Sequence, residues 1–213
     1  MMKNKSYIGI SIIVLIFGIW ALPKIMNKLA GKDLLKFEKV PGFEFTDQNG
    51  QKVNNNTLKG KVYVLEFFFT SCPTICPKMH QSLLNIQNAY YGNPEFGIVS
   101  ITIDPKHDTP EKLKEYAKDH NVTLKNWFFL TGDKDTIYNL ANEGFKIYAG
   151  EDEAAPGGFE HSGLFALVDK DGYIRSRTIT TDGIENPIKF YDGLDALQTQ
   201  MLKEDISKLL KEE

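Results

Sequence analysis

The feature that most constrains this chain is a pair of cysteines, Cys72 and Cys76, placed between an apolar run and a proline. They are the only two cysteines in 213 residues. The run Lys61–Phe69 before them is rich in β-branched and aromatic residues, which predicts a buried strand. Pro77 after them predicts the first turn of a helix, where proline is favoured. The cysteines are therefore expected at a strand-to-helix junction of an α/β fold.

This junction favours the thiolate form of a cysteine. Free N–H groups and the helix dipole stabilise negative charge at a helix N-terminus, and the thiolate is both the nucleophile and the metal ligand. Cys72 and Cys76 each precede a proline, which disfavours helical backbone, so both are expected in a loop and directed toward one point. Such a pair can form a structural disulfide, stay as two buried thiols, exchange electrons as a dithiol or hold a soft metal ion.

The composition is that of one soluble domain of ordinary size with an added segment. Hydrophobic residues make up 42% of the chain and charged residues 25%, and the net charge is −3. The lysines are scattered among acidic residues, and no basic patch with interleaved aromatic residues is present, so nucleic-acid binding is not expected.

The N-terminus is the exception to this composition. The run from Ser6 to Pro23 carries no charge and is strongly apolar, and about 20 such residues, with a lower limit near 17, cross a bilayer. We expect residues 1–23 to be an uncleaved anchor, with a cleaved signal peptide as the alternative. A single-pass anchor would place the remaining chain on the outer face of a bacterial cytoplasmic membrane, although the flanking lysines do not follow a simple positive-inside count.

Residues 24–40 are then expected to form a tether and residues 41–213 the folded domain. Alternation around Asn49-Gly50 predicts an N-terminal hairpin, and Thr109-Pro110 has the pattern of a helix start. The predicted order is β-α-β-α followed by a strand pair and a helix, which indicates a three-layer α/β/α domain. Beyond the first strand and helix, the predicted elements are strands at 96–104, 127–130, 163–169 and 173–180, and helices at 109–120, 133–142 and 186–210.

Taken in order, these segments resemble the SCO/SenC family. The resemblance covers about residues 40 to 205, and its specific part is the Cys-x-x-x-Cys-Pro segment with a later His-Ser. The matching segments are Thr46–Gly50, Phe67–Pro77, Ile103–Pro105 with Asp108–Pro110, and His161–Ser162 before Phe165–Gly172. Two positions depart from the family pattern, since Glu160 stands where aspartate is usual and His107 where arginine is common.

The resemblance implies a thioredoxin-like fold, a membrane anchor and a role in assembling the copper A centre of cytochrome c oxidase. The family's copper ligands fall on Cys72, Cys76 and His161. A set of two thiolates and one imidazole suits copper as Cu(I) or Cu(II). Zinc accepts the same donors but prefers four ligands in a structural site, whereas an open three-ligand site suits a metal that is passed on. The implied partners are the copper A subunit and a copper chaperone or thioredoxin-like reductant.

Several further residues carry expectations. Asp104 ends a strand and is expected either beside the metal ligands or as a turn residue before Pro105. His80 is expected at the surface and Met79 in the core, with a position near the metal as the alternative for each. The polar segment Glu151–Gly158 is expected to be either a solvated loop or a flap that carries His161. His107 and His120 are expected to be solvated, and Phe67–Phe69 to be core residues.

A rival function is that of a thiol–disulfide oxidoreductase or thiol peroxidase, because the thioredoxin fold carries those activities too. Two features weigh against it. Three residues separate the cysteines, whereas two separate them in thioredoxins. Thioredoxins also place a cis-proline directly before the strand that here begins near Gly163, and this chain has none there. A copper or redox sensor is a third possibility that the sequence does not separate from a chaperone.

Overall fold

The protein is described by a computed structural model that covers residues 15, 17, 33–152 and 154–212. Residues 15 and 17 are helical, but the predicted anchor of residues 1–23 otherwise lies outside the described residues. Within the described part of the chain, no helix is long and apolar enough to span a membrane. Leu34–Glu213 forms one compact unit.

The predicted N-terminal hairpin and the first strand–helix unit are present. The chain begins with β1 (Leu35–Lys39), β2 (Glu44–Asp47), β3 (Lys52–Asn54), the short helix α1 (Asn55–Leu58), β4 (Val62–Phe68) and α2 (Cys76–Ala89). β2 and β3 pair antiparallel around a turn in which Gly50 has φ +76, a conformation that glycine adopts without steric cost. β1 lies inside the predicted tether of residues 24–40, so the folded unit begins within that segment.

The middle of the chain follows the predicted alternation of strands and helices. It contains β5 (Phe96–Thr102), α3 (Pro110–Asp119), β6 (Trp127–Thr131), α4 (Lys134–Asn139), β7 (Ala149–Glu151) and β8 (Phe159–His161). Thr109 caps α3 by accepting a hydrogen bond from the Lys112 N–H, and Asp133 caps α4 in the same way. α4 continues as a π-helix over Leu140–Phe145, a few residues beyond the predicted end of this helix at Asn142.

The C-terminal region differs from the sequence prediction. It contains β9 (Leu164–Val168), β10 (Tyr173–Ser176), β11 (Thr178–Thr181), β12 (Ile184–Pro187), β13 (Tyr191–Asp192) and α5 (Ala196–Leu209). The predicted helix start at Asn186-Pro187 is wrong, because these residues pair with Thr178 and Ile179 in a separate hairpin. The helix begins after Asp195, whose carboxylate accepts hydrogen bonds from the N–H groups of Leu197 and Gln198.

The main sheet has the order β1-β10-β9-β4-β5-β6-β2-β3, and β13 adds to β9. β4, β5 and β6 run parallel, whereas β9 is antiparallel to β4. Every residue of β4 and β5 is buried, as expected for parallel strands covered on both faces. Since β4 lies in the centre of the sheet, the loop that follows Phe68 starts from a fully buried strand.

Candidate metal centre

The two cysteines lie where β4 leads into α2, as predicted, but their backbones differ. Cys72 belongs to the loop, and its N–H bonds the Phe69 carbonyl. Cys76 is the first residue of α2, preceded by Ile75 in helical conformation. The prediction that both cysteines occupy loop positions is therefore wrong for Cys76. The effect of Pro77 on the residue before it is a bias rather than a prohibition, and Pro77 itself fits the first helical turn.

The cysteine loop is held by a buried carboxylate that the sequence did not single out. Asp108 accepts hydrogen bonds from the Thr70 N–H at 3.0 Å and from the hydroxyl groups of Thr70 and Thr102. Asp108 is only 1% exposed. Thr70 lies two residues before Cys72, so Asp108 connects the loop to the end of β5. The only sequence signal was the position of Asp108 beside the predicted helix cap.

His161 reaches the cysteines from a different part of the chain. It is the last residue of β8, which pairs with β7 in a two-stranded hairpin outside the main sheet. The Asn142 side chain fixes the base of this hairpin by bonding both the N–H and the carbonyl of Ala149, the residue opposite His161. The His161 ring packs edge-on against Phe69, with ring centroids 5.8 Å apart.

The structure brings together the three side chains that the family resemblance selected. The Sγ atoms of Cys72 and Cys76 and a ring nitrogen of His161 lie within 4.8 Å of one another. The Cys76 Sγ is 3.1 Å from His161 Nε2. His161 Nδ1 lies 3.1 Å from the Ser162 carbonyl and donates to it, which leaves the Nε2 lone pair directed at the cysteines. A second hydrogen bond of this kind orients the histidines that bind metals.

The two thiols differ in acidity. A hydrogen bond from the Cys76 thiol, with smaller contributions from the N–H groups of Cys76 and Thr74, holds the pKa of Cys72 well below its usual range. The same interaction with Cys72, together with burial, raises the pKa of Cys76. The pair therefore holds one thiolate, at Cys72, and one thiol, at Cys76. Both cysteines are free.

A cavity of about 410 Å³ connects this group with the surface. Cys72 and His161 line it, together with residues 152 and 154–156 of the hairpin tip. Gly157 places the tip against the cysteine loop: a Cβ at this position would lie 2.8 Å from a Phe69 ring atom and 3.3 Å from Pro73. Residues 151–152 and 154–158 thus lie at the tip of a hairpin that packs on the cysteine loop.

A buried acid lies behind the three side chains. Glu66 is the one charged residue of β4 and is 3% exposed. Its carboxyl accepts a 2.7 Å hydrogen bond from the Ser100 hydroxyl, which in turn accepts one from the Trp127 indole N–H. Burial raises the pKa of Glu66 to about 7, against the opposing effects of Ser100 and His161. The sequence signal for Glu66 was its position as an acidic residue inside an otherwise apolar predicted strand.

The remaining candidates lie elsewhere. Asp104 uses both carboxylate oxygens to accept from His107 Nδ1, at 2.8 and 2.9 Å, and lines a second cavity, so its place beside a metal stays a prediction. The expectation that His80 lies at the surface is wrong: its ring is buried, stacks on Trp127 and bonds the His120 carbonyl. Met79 is buried as expected.

The fold and the site together define a thioredoxin-like α/β domain with a buried Cys2His group at a strand-to-helix junction. Residues 32–195 match the family model described as SCO1/SenC. The chain belongs to the SCO1/SenC family.

Two curated relatives and two solved structures illustrate the relationship. The SCO1 protein homolog of Bacillus subtilis is 35% identical over 161 residues, which are 73% of this chain and 79% of that protein. A protein of Stutzerimonas stutzeri that is named for copper binding is 32% identical over 166 residues, 76% of each chain.

Among solved structures, a SCO1/SenC family lipoprotein from Bacillus anthracis has a TM-score of 0.71 at 27% identity, with 84% of this chain and 99% of that chain covered. BsSco, described as a member of the Sco family of cytochrome c oxidase assembly proteins with a disulfide switch, has a TM-score of 0.69 at 29% identity, with 85% and 98% covered.

Proposed function

We propose that this protein is a membrane-anchored copper-binding chaperone that delivers copper to the copper A site of cytochrome c oxidase or prepares the thiols of that site. The observation that carries the proposal is the group of Cys72, Cys76 and His161, whose donor atoms lie within 4.8 Å of one another. Membership of the SCO1/SenC family and the relative named for copper binding support the choice of metal.

The donor set favours copper as cargo on chemical grounds. Two sulfur ligands select soft ions and disfavour calcium and magnesium, which prefer oxygen. Zinc accepts cysteine and histidine, but its structural sites use four protein ligands, and the described residues bring only three such side chains together. Three ligands at the end of an open cavity allow an acceptor to approach the ion, as transfer requires.

The chain's own groups have distinct roles in this proposal. Cys72 already favours its thiolate and offers the first ligand at the cavity wall. Cys76 retains its proton in the free protein, so binding must release it. His161 presents the Nε2 lone pair, because Nδ1 donates to the Ser162 carbonyl. Copper uptake should therefore release about one proton from the thiol pair near neutral pH.

The relatives and the N-terminal sequence support the proposed recipient and location. BsSco is described as belonging to a family of cytochrome c oxidase assembly proteins, and the Bacillus anthracis relative is a lipoprotein. We infer an anchor in residues 1–23 and a domain on the outer face of the membrane. The full-length protein should remain in the membrane fraction after a carbonate wash with its N-terminus intact; a soluble form starting near residue 30 would instead indicate a cleaved signal peptide.

Copper titration of the reduced protein tests the central proposal. The protein should bind one copper ion, and Cu(II) should show a thiolate charge-transfer band. Cys72→Ser or Cys76→Ser should abolish tight binding of both ions. His161→Ala should weaken Cu(II) more than Cu(I), because two thiolates alone hold Cu(I) in linear geometry. His107→Ala is the matched control, since that ring is 67% exposed. A protein that retains zinc and refuses copper would overturn the proposal.

A second candidate function is thiol–disulfide exchange. The free cysteines, the lowered pKa of Cys72 and the disulfide switch described for BsSco favour it. The two functions make opposite predictions for insulin reduction. A copper chaperone should turn over slowly, and bound copper should protect its thiols from oxidation. Insulin reduction at rates close to those of thioredoxin, retained in His161→Ala, would favour the reductase function over the chaperone function.

A further inference from the structure

A cavity distinct from those at His161 and Asp104 lies at the opposite end of β4 from the cysteines. Its volume is about 480 Å³. Its walls are β1, the segment from Asn55 to Lys59 and the turn Asp171–Tyr173, and Tyr63 of β4 also lines it. Since Cys72 follows the other end of this seven-residue strand, about 20 Å of strand separates the cavity from the candidate metal centre. Nothing in the copper proposal uses it.

The cavity concentrates positive charge in a chain whose net charge is −3. Three lysines line it, Lys36, Lys39 and Lys59, against one carboxylate, that of Asp171. Within residues 33–152 and 154–212, none of these three lysines forms an ion pair. The Nζ atoms of Lys36 and Lys39 lie 3.8 and 5.6 Å from the centroid of the Tyr173 ring. Two ammonium groups are thus gathered at one aromatic ring, which attracts cations.

Tyr63 provides an independent observation. The residue is only 2% exposed, yet it reaches the cavity wall. Its hydroxyl makes no hydrogen bond to any residue that the structure describes. The hydroxyl oxygen itself stays accessible to solvent, so it can donate to an acceptor in the cavity. Burial also raises the pKa of Tyr63, so the hydroxyl keeps its proton and can donate it.

We propose that this cavity binds a phosphate-bearing anion, either a free phosphate ester or the headgroup of an anionic phospholipid. The three ammonium groups supply charge, and the Tyr63 hydroxyl and the Asn56 amide supply directed donors. A tetrahedral phosphate accepts hydrogen bonds from several directions at once, which matches donors that come from three walls and the central strand. The volume holds a phosphate with a small polar group and excludes a folded partner.

Because β1 is close in sequence to the proposed anchor, a lipid headgroup is one source of the phosphate to test. Twelve residues lie between Pro23, the end of the proposed anchor, and Lys36, and this length spans at most about 45 Å when fully extended. A cavity beside β1 therefore stays within reach of the membrane surface if the anchor is present. A free phosphate ester needs no anchor, so the two sources are separable by experiment.

The test titrates the full-length, 15N-labelled protein in nonionic detergent and follows the backbone amide signals of Gly60 and Gly172. The probes are inorganic phosphate, glycerol 1-phosphate, and micelles doped with phosphatidylglycerol or with phosphatidylcholine. Saturable shifts with glycerol 1-phosphate or inorganic phosphate support the proposal and assign a soluble source. Shifts with phosphatidylglycerol alone support it and assign a headgroup. The absence of saturable shifts with every phosphate probe would overturn it.

Variants establish that the cavity is responsible. Tyr63→Phe removes only the hydroxyl and should weaken binding about fivefold, the effect of one hydrogen bond. Replacing Lys36, Lys39 and Lys59 with glutamine should weaken binding about tenfold or more. The matched control replaces Lys114, Lys118 and Lys125, which are exposed like the three cavity lysines but lie away from the cavity, and should change the affinity less than about twofold. Equal losses in both triple variants would show attraction by overall charge and overturn the proposal.

Discussion

The two halves of the candidate metal centre are held by different means. The cysteine half, residues 69–76, starts from the fully buried strand β4 and is bonded to β5 through Asp108. The histidine half, residues 149–161, is a two-stranded hairpin outside the main sheet. Its base is fixed by Asn142, and its tip rests on Phe69 and Pro73 through Gly157.

This difference separates what is fixed from what can adjust. The thiols are held in place by the core of the domain, so moving them requires disturbing the sheet. The imidazole depends on local contacts, and elements with few buried contacts open at lower free energy than core strands do. A copper chaperone benefits from this division, because the cysteines stay in place while the third ligand engages or withdraws. Three predictions test the division, from the largest expected effect to the smallest.

The first prediction concerns the support of the cysteine half. Asp108→Ala removes the acceptor of three hydrogen bonds around Thr70 and Thr102, two of them from side chains in or beside the core. We expect a loss of about 3 to 4 kcal/mol in the free energy of unfolding, measured by urea denaturation, together with weaker copper binding.

The matched control for this variant is Asp104→Ala. Asp104 is also buried, but its carboxylate is bonded by the exposed His107, so its removal strands no buried donor. The expected loss is about 1 kcal/mol. Equal losses for the two variants would show that Asp108 has no special role in holding the cysteine loop.

The second prediction uses the buried acid behind the thiols. The pKa of Glu66 is raised to about 7 in the folded protein, so the folded state holds a proton that the unfolded chain releases near its ordinary value. Its contribution to stability is complete at acidic pH and is lost as the pH rises through about 7. Glu66→Gln should therefore remove a decline of about 3 kcal/mol between pH 4.5 and 8.

The measurement is the free energy of unfolding of the reduced, metal-free protein across this pH range. Glu160→Gln serves as the control, because Glu160 is exposed and lies beside His161 in the histidine half. The decline attributed to Glu66 should persist in this variant. If wild type and Glu66→Gln have the same slope, the carboxyl of Glu66 is ionised throughout and the proposed burial effect is refuted.

The third prediction concerns the histidine half and compares two adjacent glycines. Gly157 and Gly158 have φ +87 and +82, so an alanine at either position costs about 1 kcal/mol in backbone strain. Only at Gly157 would the new Cβ also meet Phe69, at 2.8 Å, whereas nothing lies within 4 Å at Gly158. Gly157→Ala should therefore displace the hairpin tip from the cysteine loop.

We expect Gly157→Ala to weaken Cu(II) binding several-fold more than Gly158→Ala, while Cu(I) binding changes less because it relies on the thiols. Competition with chelators of known affinity measures both ions. The same loss in both variants would mean that backbone strain alone matters and that the contact with Phe69 does not position His161.

The positions of the cysteines and of most core elements could be predicted from the sequence. The apolar run before Cys72, the hairpin around Gly50 and the helix start at Thr109 are local signals, and local signals survive folding unchanged. The C-terminal helix shows the limit of this reasoning. Asn186-Pro187 has the pattern of a helix start, but pairing with Thr178 and Ile179 prevails, and the cap forms at Asp195 instead.

The sequence by itself determined the strand-to-helix junction that carries the thiols, the likeness to the SCO1/SenC family and, through it, the choice of His161. The tertiary structure alone decided which charged groups surround these ligands. Asp108 bonds a loop 38 residues away, and Glu66 lies in the core behind the site. Such pairings depend on distances across the fold, because electrostatic and hydrogen-bond energies fall steeply with separation, and no local pattern in the chain records those distances.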